Sequence, residues 1–140
     1  MNVPRNTLMA NSGFLIALFD VRQPHHSDAK AWVQQHPQPL LTVEAVVVEV
    51  SFFLAGQQRQ AFLDAVAVRA LPLMAADDNS PQRIAELFKK YDNLSPDYAD
   101  LALIDLAERT ELTAILTIDM HDFSLYRIKG RRCFEWVSWH

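Results

Sequence analysis

Short apolar stretches that end in polar residues constrain the fold of this chain more than any other sequence feature. Thr7 to Ala10 leads directly into Asn11, and Ala114 to Thr117 leads into Asp119. A strand that is apolar along its whole length is typical of a parallel sheet covered on both faces. In such sheets, ligands collect beyond the carboxyl ends of the strands. The sequence therefore predicts a polar site around Asn11 and Asp119.

Helical patterns separate the apolar stretches and predict an α/β sandwich with a mostly parallel sheet. Val43 to Ala55 is a strongly apolar helix candidate, and we expect Gly56 to end it. Ser80-Pro81 predicts the start of another helix. Ser95-Pro96 predicts a third, with the serine as N-cap and the proline as the first helical residue. The alternating tail from Phe134 to Trp139 predicts an edge strand.

Bulk properties predict one domain over residues 1–140, because 140 residues can bury a core without disulfides or metals. Cys133 is the only cysteine and cannot form an internal disulfide, which fits a reducing compartment. The apolar run from Gly13 to Phe19 is too short to span a membrane. We therefore expect a cytoplasmic protein without membrane contact. The formal charge of −4 argues mildly against a general nucleic-acid binder.

Glu49 is the most informative acid in the sequence. In a helix over 43–55, its neighbours Val46, Val50 and Phe53 are apolar, so Glu49 would project from the stripe that faces the core. A buried carboxylate without a partner is costly, so Glu49 needs either a cation or a hydrogen-bonding partner. The alternative to a functional role is a core acid satisfied by an arginine or by backbone donors.

Two pairs of aspartates allow similar alternatives. Asp97 and Asp100 lie three residues apart at the start of a predicted helix and share one face, where acids also simply complement the helix dipole. Asp119 and Asp122 follow an apolar stretch, where an aspartate often forms a turn with its own backbone. If instead these acids converge, their oxygens suit a hard divalent cation.

Four stretches of the chain together resemble the PIN-domain family, in particular the VapC-like ribonuclease toxins. They are NSGFLIALFDVRQPHH, LLTVEAVVVEVSFFL, SPDYADLALIDLAER and LTIDMHDF, in the family's order and spread over nearly the whole chain. The resemblance implies a three-layer α/β/α sandwich with a mostly parallel central sheet. It also implies acids that hold Mg²⁺ or Mn²⁺, RNA as substrate and a small antitoxin protein as partner. The apolar helices offer surface for that antitoxin or for a homodimer.

The resemblance assigns catalysis to Glu49, Asp100 and Asp119. The metal ligands that it implies are Asn11, Glu49, Asp97, Asp100, Asp119 and Asp122. The family's first acid usually ends the first strand, but Asn11 takes that place in this chain. Asparagine keeps an oxygen for a cation and removes one negative charge. We therefore expect weaker metal affinity and impaired cleavage.

A basic cluster that follows the last acids is predicted to bind RNA. Its members are Arg127, Lys129, Arg131 and Arg132. Ordinary solvated surface is the alternative for such a charge run. Two other function classes compete with the nuclease. One is a non-catalytic PIN-like module that binds RNA or protein, which Asn11 favours. The other is a receiver-like phosphoacceptor, which normally carries two early acids, whereas none precedes Asn11.

Overall fold

A central parallel sheet organises the fold, which we describe from a computed structural model. The structure describes residues 3–140, so the first two residues of the expected 1–140 domain lie outside the described part. The strands are β1 (Leu8–Ala10), β2 (Leu40–Leu41), β3 (Ala114–Leu116), β4 (Arg127–Ile128), β5 (Arg132–Cys133) and β6 (Glu135–Trp136). Four of them pair in parallel in the order β2-β1-β3-β6, and β4 and β5 form a separate antiparallel hairpin.

Helices flank this sheet and complete the predicted three-layer α/β/α sandwich, which is confirmed. They are α1 (Ser12–Phe19), α2 (His26–Gln35), α3 (Glu44–Phe53), α4 (Gly56–Ala67), α5 (Ser80–Lys90), α6 (Tyr98–Thr110) and α7 (Met120–Leu125), with a short 3₁₀ helix at Asp92–Leu94. Among residues 3–140, no helix has the length and apolar character needed to cross a membrane.

The register of β1 and α6 brings the polar ends of the elements to one edge of the sheet. β1 lies between β2 and β3, and its last residue, Ala10, pairs with Leu116 at the end of β3. Residues 99–107 of α6 are all buried, which anchors this helix in the core. Because α6 leads directly into β3, its N-terminal end lies at the edge where β1 and β3 finish. Asn11, Asp100 and Asp119 therefore share this carboxyl edge of the sheet.

Two predicted helix boundaries were wrong. Gly56 does not end a helix, because α3 stops at Phe53 and Gly56 opens α4 with a φ of +56°. Ser95 is not an N-cap but has a left-handed φ of 48°. The proline after Ser95 disfavours the helical conformation there. Asp97 caps α6 instead, since its carboxylate accepts a hydrogen bond from the backbone N–H of Asp100.

The C-terminal region contains elements that the sequence did not predict. Helix α7 and the β4–β5 hairpin are too short for a periodic pattern to announce them. Of the edge strand predicted over 134–139, only the two residues of β6 form a strand, which pairs in parallel with β3. Beyond it, the buried Trp139 packs in the core, and its indole N–H donates to the carbonyl of Thr117 at 3.0 Å.

Candidate functional site at the carboxyl edge of the sheet

Asn11 joins the ends of the two central strands. Its Oδ1 accepts from the backbone N–H of Ser12 at 2.7 Å, and its Nδ2 donates to Thr117 Oγ1 at 3.1 Å. Thr117 Oγ1 also accepts from the backbone N–H of Asp119 at 2.9 Å. We call this set of contacts the Asn11–Thr117 bridge. It caps α1, ties β1 to β3 and fixes the backbone from which Asp119 projects.

Asp100 is the buried acid of the site, with only 8% of its surface exposed. Burial raises the pKa of its carboxyl to about 7, and the negative charge of Asp97 adds to the shift. A hydrogen bond from the Tyr126 hydroxyl opposes the rise, while Asp119 and Glu49 contribute further to it. The charges of Asp97, Asp119 and Glu49 therefore all lie within electrostatic reach of Asp100.

Glu49 reaches the same edge from α3 and is half-buried. Burial is the main cause of its raised pKa; the Ser12 hydroxyl opposes the rise and the charge of Asp97 adds to it. Ser12 lies next to Glu49, yet its buried Oγ makes no hydrogen bond of normal length within residues 3–140. The Ser12 hydroxyl thus faces the Glu49 carboxyl beyond ordinary hydrogen-bond length and offers a neutral oxygen beside it.

Asp97 and Asp119 are the N-cap residues of α6 and α7. Asp97 Oδ1 accepts from the backbone N–H of Asp100 at 2.8 Å, and Asp119 Oδ1 accepts from that of Asp122 at 3.1 Å. Both capping side chains are exposed. Asp122 is half-buried, and burial together with the neighbouring Asp119 raises its pKa.

The predicted acids share one edge without forming a finished metal site. In the part of the chain that the structure describes, no three His, Cys, Asp or Glu side chains are arranged to hold a metal ion. The caps explain this, because Asp97 and Asp119 each direct one oxygen at a backbone N–H. Asn11 likewise uses both polar atoms in the Asn11–Thr117 bridge.

The side chains at this edge nevertheless carry the oxygen atoms that suit a hard divalent cation. Glu49, Asp100 and Asp119 offer carboxylate oxygens, which Mg²⁺ and Mn²⁺ prefer. The unpartnered Ser12 hydroxyl adds a buried neutral oxygen beside Glu49. A cation at this edge would also offset the desolvation of Asp100.

Three of the four predicted RNA-binding residues, Lys129, Arg131 and Arg132, lie away from the acids. The backbone N–H of Lys129 donates to Glu108 of α6 at 2.7 Å. Glu108 is eight residues beyond Asp100, which corresponds to roughly 12 Å along the helix axis. Arg131 and Arg132 are exposed in the same hairpin. The basic hairpin therefore sits toward the opposite end of α6.

Arg127 differs from the other three basic residues. It is half-buried, and its guanidinium donates to the carbonyls of Ser124 and Tyr126 at 2.7 Å and 3.0 Å. These contacts hold the chain between α7 and β4 and leave Arg127 less available to RNA than its neighbours. By contrast, the ammonium of Lys90 lies beside Gly130 and adds charge to the hairpin tip.

An open apolar groove borders Glu49. Its volume is about 790 Å³, and α3, α5, α6 and the segment 74–76 line it. Glu49 lies on its wall, as does Phe52, whose side chain is 87% exposed. Phe53 is also exposed, so both phenylalanines of this pair are available at the surface of α3.

Sequence reasoning missed three residues of this edge: Ser12, Thr117 and Tyr126. In the sequence, Ser12 is part of a turn or helix-start signal and lacks the partners of a nucleophile, and Thr117 is the end of an apolar stretch. Tyr126 gave no signal, because its position depends on α7, an element of six residues that no pattern predicted.

Comparisons with known proteins agree on one family. Residues 10–129 match the family model described as PIN domain. The chain is 26% identical over 127 residues to Ribonuclease VapC26 of Mycobacterium tuberculosis, covering 88% of this chain and 94% of that protein. Similar solved structures include the Mycobacterium tuberculosis VapC20, a sarcin-ricin loop cleaving toxin, with a TM-score of 0.71. That likeness has 13% identity and covers 77% of this chain and 86% of the other.

A second solved structure extends the fold likeness over almost the whole chain. It is VapBC2 from Rickettsia felis bound to a DNA fragment from their promoter. The TM-score is 0.66 at 12% identity, and the match covers 94% of this chain and 99% of that chain.

Replacing Asp100 by asparagine tests the electrostatic cost of the site. The folded-state pKa of Asp100, about 7, lies above the ordinary value of 3.8, so the folded chain holds a proton that the unfolded chain has released between these pH values. The free energy of unfolding therefore falls as pH rises through this window, and it levels off above about pH 7, where both states are ionised. We expect the metal-free wild type to lose on the order of 2–4 kcal/mol of unfolding free energy relative to Asp100→Asn as pH rises from about 4 to 8.

Urea unfolding with a chelator at stepped pH measures this difference. Asp78→Asn, at an exposed aspartate, is the matched control and should track the wild type at every pH. A difference between wild type and Asp100→Asn that stays constant with pH would contradict the account.

Proposed function

This chain belongs to the PIN domain family, and on that premise we propose that it is a divalent-metal-dependent endoribonuclease of the toxin type. The observation that carries the proposal is the buried Asp100, whose pKa is raised mainly by burial and further by the charges of Asp97, Asp119 and Glu49 at the same sheet edge. A buried acid whose pKa is shifted by desolvation and by specific charged neighbours is characteristic of functional sites. The similarity to Ribonuclease VapC26 supports RNA as the substrate.

We propose Glu49, Asp100 and Asp119 as the catalytic acids, with Asp97 and Asp122 assisting at the metal site. A bound Mg²⁺ or Mn²⁺ would polarise the scissile phosphate and lower the pKa of an attacking water. The fold contributes by holding the carboxylate oxygens together at the carboxyl edge of the sheet. Asp100 titrates near neutrality and can release its proton as it engages a cation. Asp119 can also engage the cation, because its side chain is exposed and only one of its two carboxylate oxygens caps α7.

Asn11 has a different role from the acid that it replaces in the family pattern. Its amide oxygen caps α1 and its amide nitrogen reaches Thr117, so it holds the strand ends together. It brings no negative charge. We therefore propose that this chain binds divalent metal more weakly than a variant with aspartate at position 11, and cleaves RNA more slowly.

A small antitoxin protein is the proposed partner, and a homodimer the proposed assembly. The VapBC2 complex among the structural neighbours supports a partner of this kind. The apolar groove beside Glu49 offers a surface where a partner segment would also cover the acids. Exposed Phe52 and Phe53 give α3 further apolar surface for association. We also propose that residues 1–140 form one domain.

A non-catalytic PIN-like module that binds RNA or protein is the second candidate function. Asn11 favours it, because its two polar atoms are already engaged in the Asn11–Thr117 bridge. The placement of Arg131 and Arg132 at a distance from the acids also suits binding without cleavage.

RNA cleavage with Mn²⁺ separates the two candidates. Asn11→Asp should increase the cleavage rate about tenfold or more, since it restores a ligand charge while aspartate caps a helix as well as asparagine does. Adding Asp119→Asn to Asn11→Asp should abolish the activity. Gel analysis of structured and single-stranded RNA, with chelator as blank, provides the measurement. Absence of cleavage by both the wild type and Asn11→Asp would favour the binding module.

Divalent metal should also stabilise the fold. Saturating Mn²⁺ should raise the melting temperature by about 5 °C, because a ligand that binds only the folded state adds its binding free energy. Glu49→Gln should lose most of this increase. Glu44→Gln changes an exposed glutamate on the same helix and serves as the control. Equal metal-induced shifts in wild type and Glu49→Gln would remove Glu49 from the proposed ligands.

A further inference from the structure

Tyr126 is packed among aromatic side chains and contacts Asp100, the buried acid of the site. It is fully buried at the C-terminal end of α7. Its ring packs edge-to-face on Tyr91 at 5.0 Å and on Phe123 at 5.1 Å, measured between ring centroids. Contacts of this geometry on two sides restrict the ring to one orientation.

Contacts of Arg127 also fix the backbone next to Tyr126. The Arg127 guanidinium donates to the carbonyls of Ser124 and Tyr126 at 2.7 Å and 3.0 Å, and these bonds do not involve the hydroxyl of Tyr91. The tyrosine is therefore held by its ring and by its backbone. Its position does not depend on the contact that its hydroxyl makes.

The hydroxyl of Tyr126 donates to Asp100 Oδ2 at 3.3 Å. Among residues 3–140, this is the one hydrogen bond that the Asp100 carboxylate accepts. Burial and the negative charge of Asp100 raise the pKa of Tyr126, so the phenol keeps its proton and remains a donor at neutral pH. The other acids differ: Asp97 and Asp119 are oriented by backbone N–H groups.

We propose that Tyr126 is a positioning residue that holds Oδ2 of Asp100 and thereby leaves Oδ1 free to bind the divalent cation. The inference rests on the proposed metal-dependent function. Hydrogen-bonding partners of metal ligands typically contribute 10–100-fold to metal affinity or activity, because they orient the ligand before the metal arrives. Asp100 needs such a partner more than the capping aspartates do, since no backbone group orients it.

Tyr126→Phe tests the proposal, with Tyr91→Phe as the matched control. Both changes keep a buried ring and delete one hydrogen bond of the tyrosine hydroxyl, which for Tyr91 is the bond from the N–H of Arg127 at 2.8 Å, but only Tyr126 contacts Asp100. Mn²⁺ binding is measured by electron paramagnetic resonance about two pH units above the Asp100 pKa, so that the carboxylate is ionised in every variant. Tyr126→Phe should weaken Mn²⁺ affinity about tenfold. Tyr91→Phe should match the wild type within about twofold, although both lower the melting temperature similarly.

Asp100→Asn separates failure of this inference from failure of the proposed function. If Asp100→Asn loses Mn²⁺ binding while Tyr126→Phe binds like the wild type, the positioning role is overturned and the proposed function stands. Equal weakening in Tyr126→Phe and Tyr91→Phe would also overturn it, because the effect would then be general loosening of the aromatic cluster. Mn²⁺ affinity unchanged in Asp100→Asn would contradict the proposed function, and this inference with it.

Discussion

The parallel pairing of β1 with β3 is the constraint on which the site depends, and the Asn11–Thr117 bridge locks it. Ala10 and Leu116 end their strands side by side, and the two residues that follow join through side chains. A single hydroxyl, Thr117 Oγ1, then also receives the backbone N–H of Asp119. Deleting that hydroxyl would leave two donors without a partner, at a cost of about 1–3 kcal/mol for each that stays buried. The contacts that satisfy hydrogen-bonding groups at the strand ends therefore also position the site.

Helices α6 and α3 add carboxyl groups at this edge of the sheet, where burial disfavours their charged form. Asp100 sits on a helix whose residues 99–107 are all buried, so the packing that anchors α6 also desolvates the acid. Its pKa near 7 measures how poorly the fold tolerates its charge. Folds retain such unfavourable arrangements mainly where function requires them. The chain belongs to the PIN domain family, and the proposed nuclease function gives this costly arrangement a use.

The sequence predicted the elements that strong patterns encode. Apolar stretches located β1 and β3, alternation with helices predicted the α/β/α sandwich, and the ordered motifs identified the family, which the match over residues 10–129 confirms. These features follow from burial of continuous apolar segments, which a single chain records directly.

Details that depend on competition between hydrogen-bond acceptors could not be predicted in the same way. Serine at position 95 and aspartate at position 97 are both good caps, and only the backbone geometry around Pro96 decides for Asp97. Likewise, sequence reasoning treated Asn11 as a weakened metal ligand and did not anticipate its contact with Thr117, 106 residues away. The contact between Tyr126 and Asp100 depends on tertiary packing for the same reason.

Anomalous diffraction from a crystal soaked in Mn²⁺ shows where this chain binds a divalent cation. We expect a peak at the carboxyl edge of the sheet, with Glu49, Asp100 and Asp119 as ligands at roughly 2.0–2.6 Å. In that state the Asp119 carboxylate would have turned from its N-cap position toward the ion. A peak bound elsewhere on the chain, with this edge empty at saturating Mn²⁺, would contradict the account.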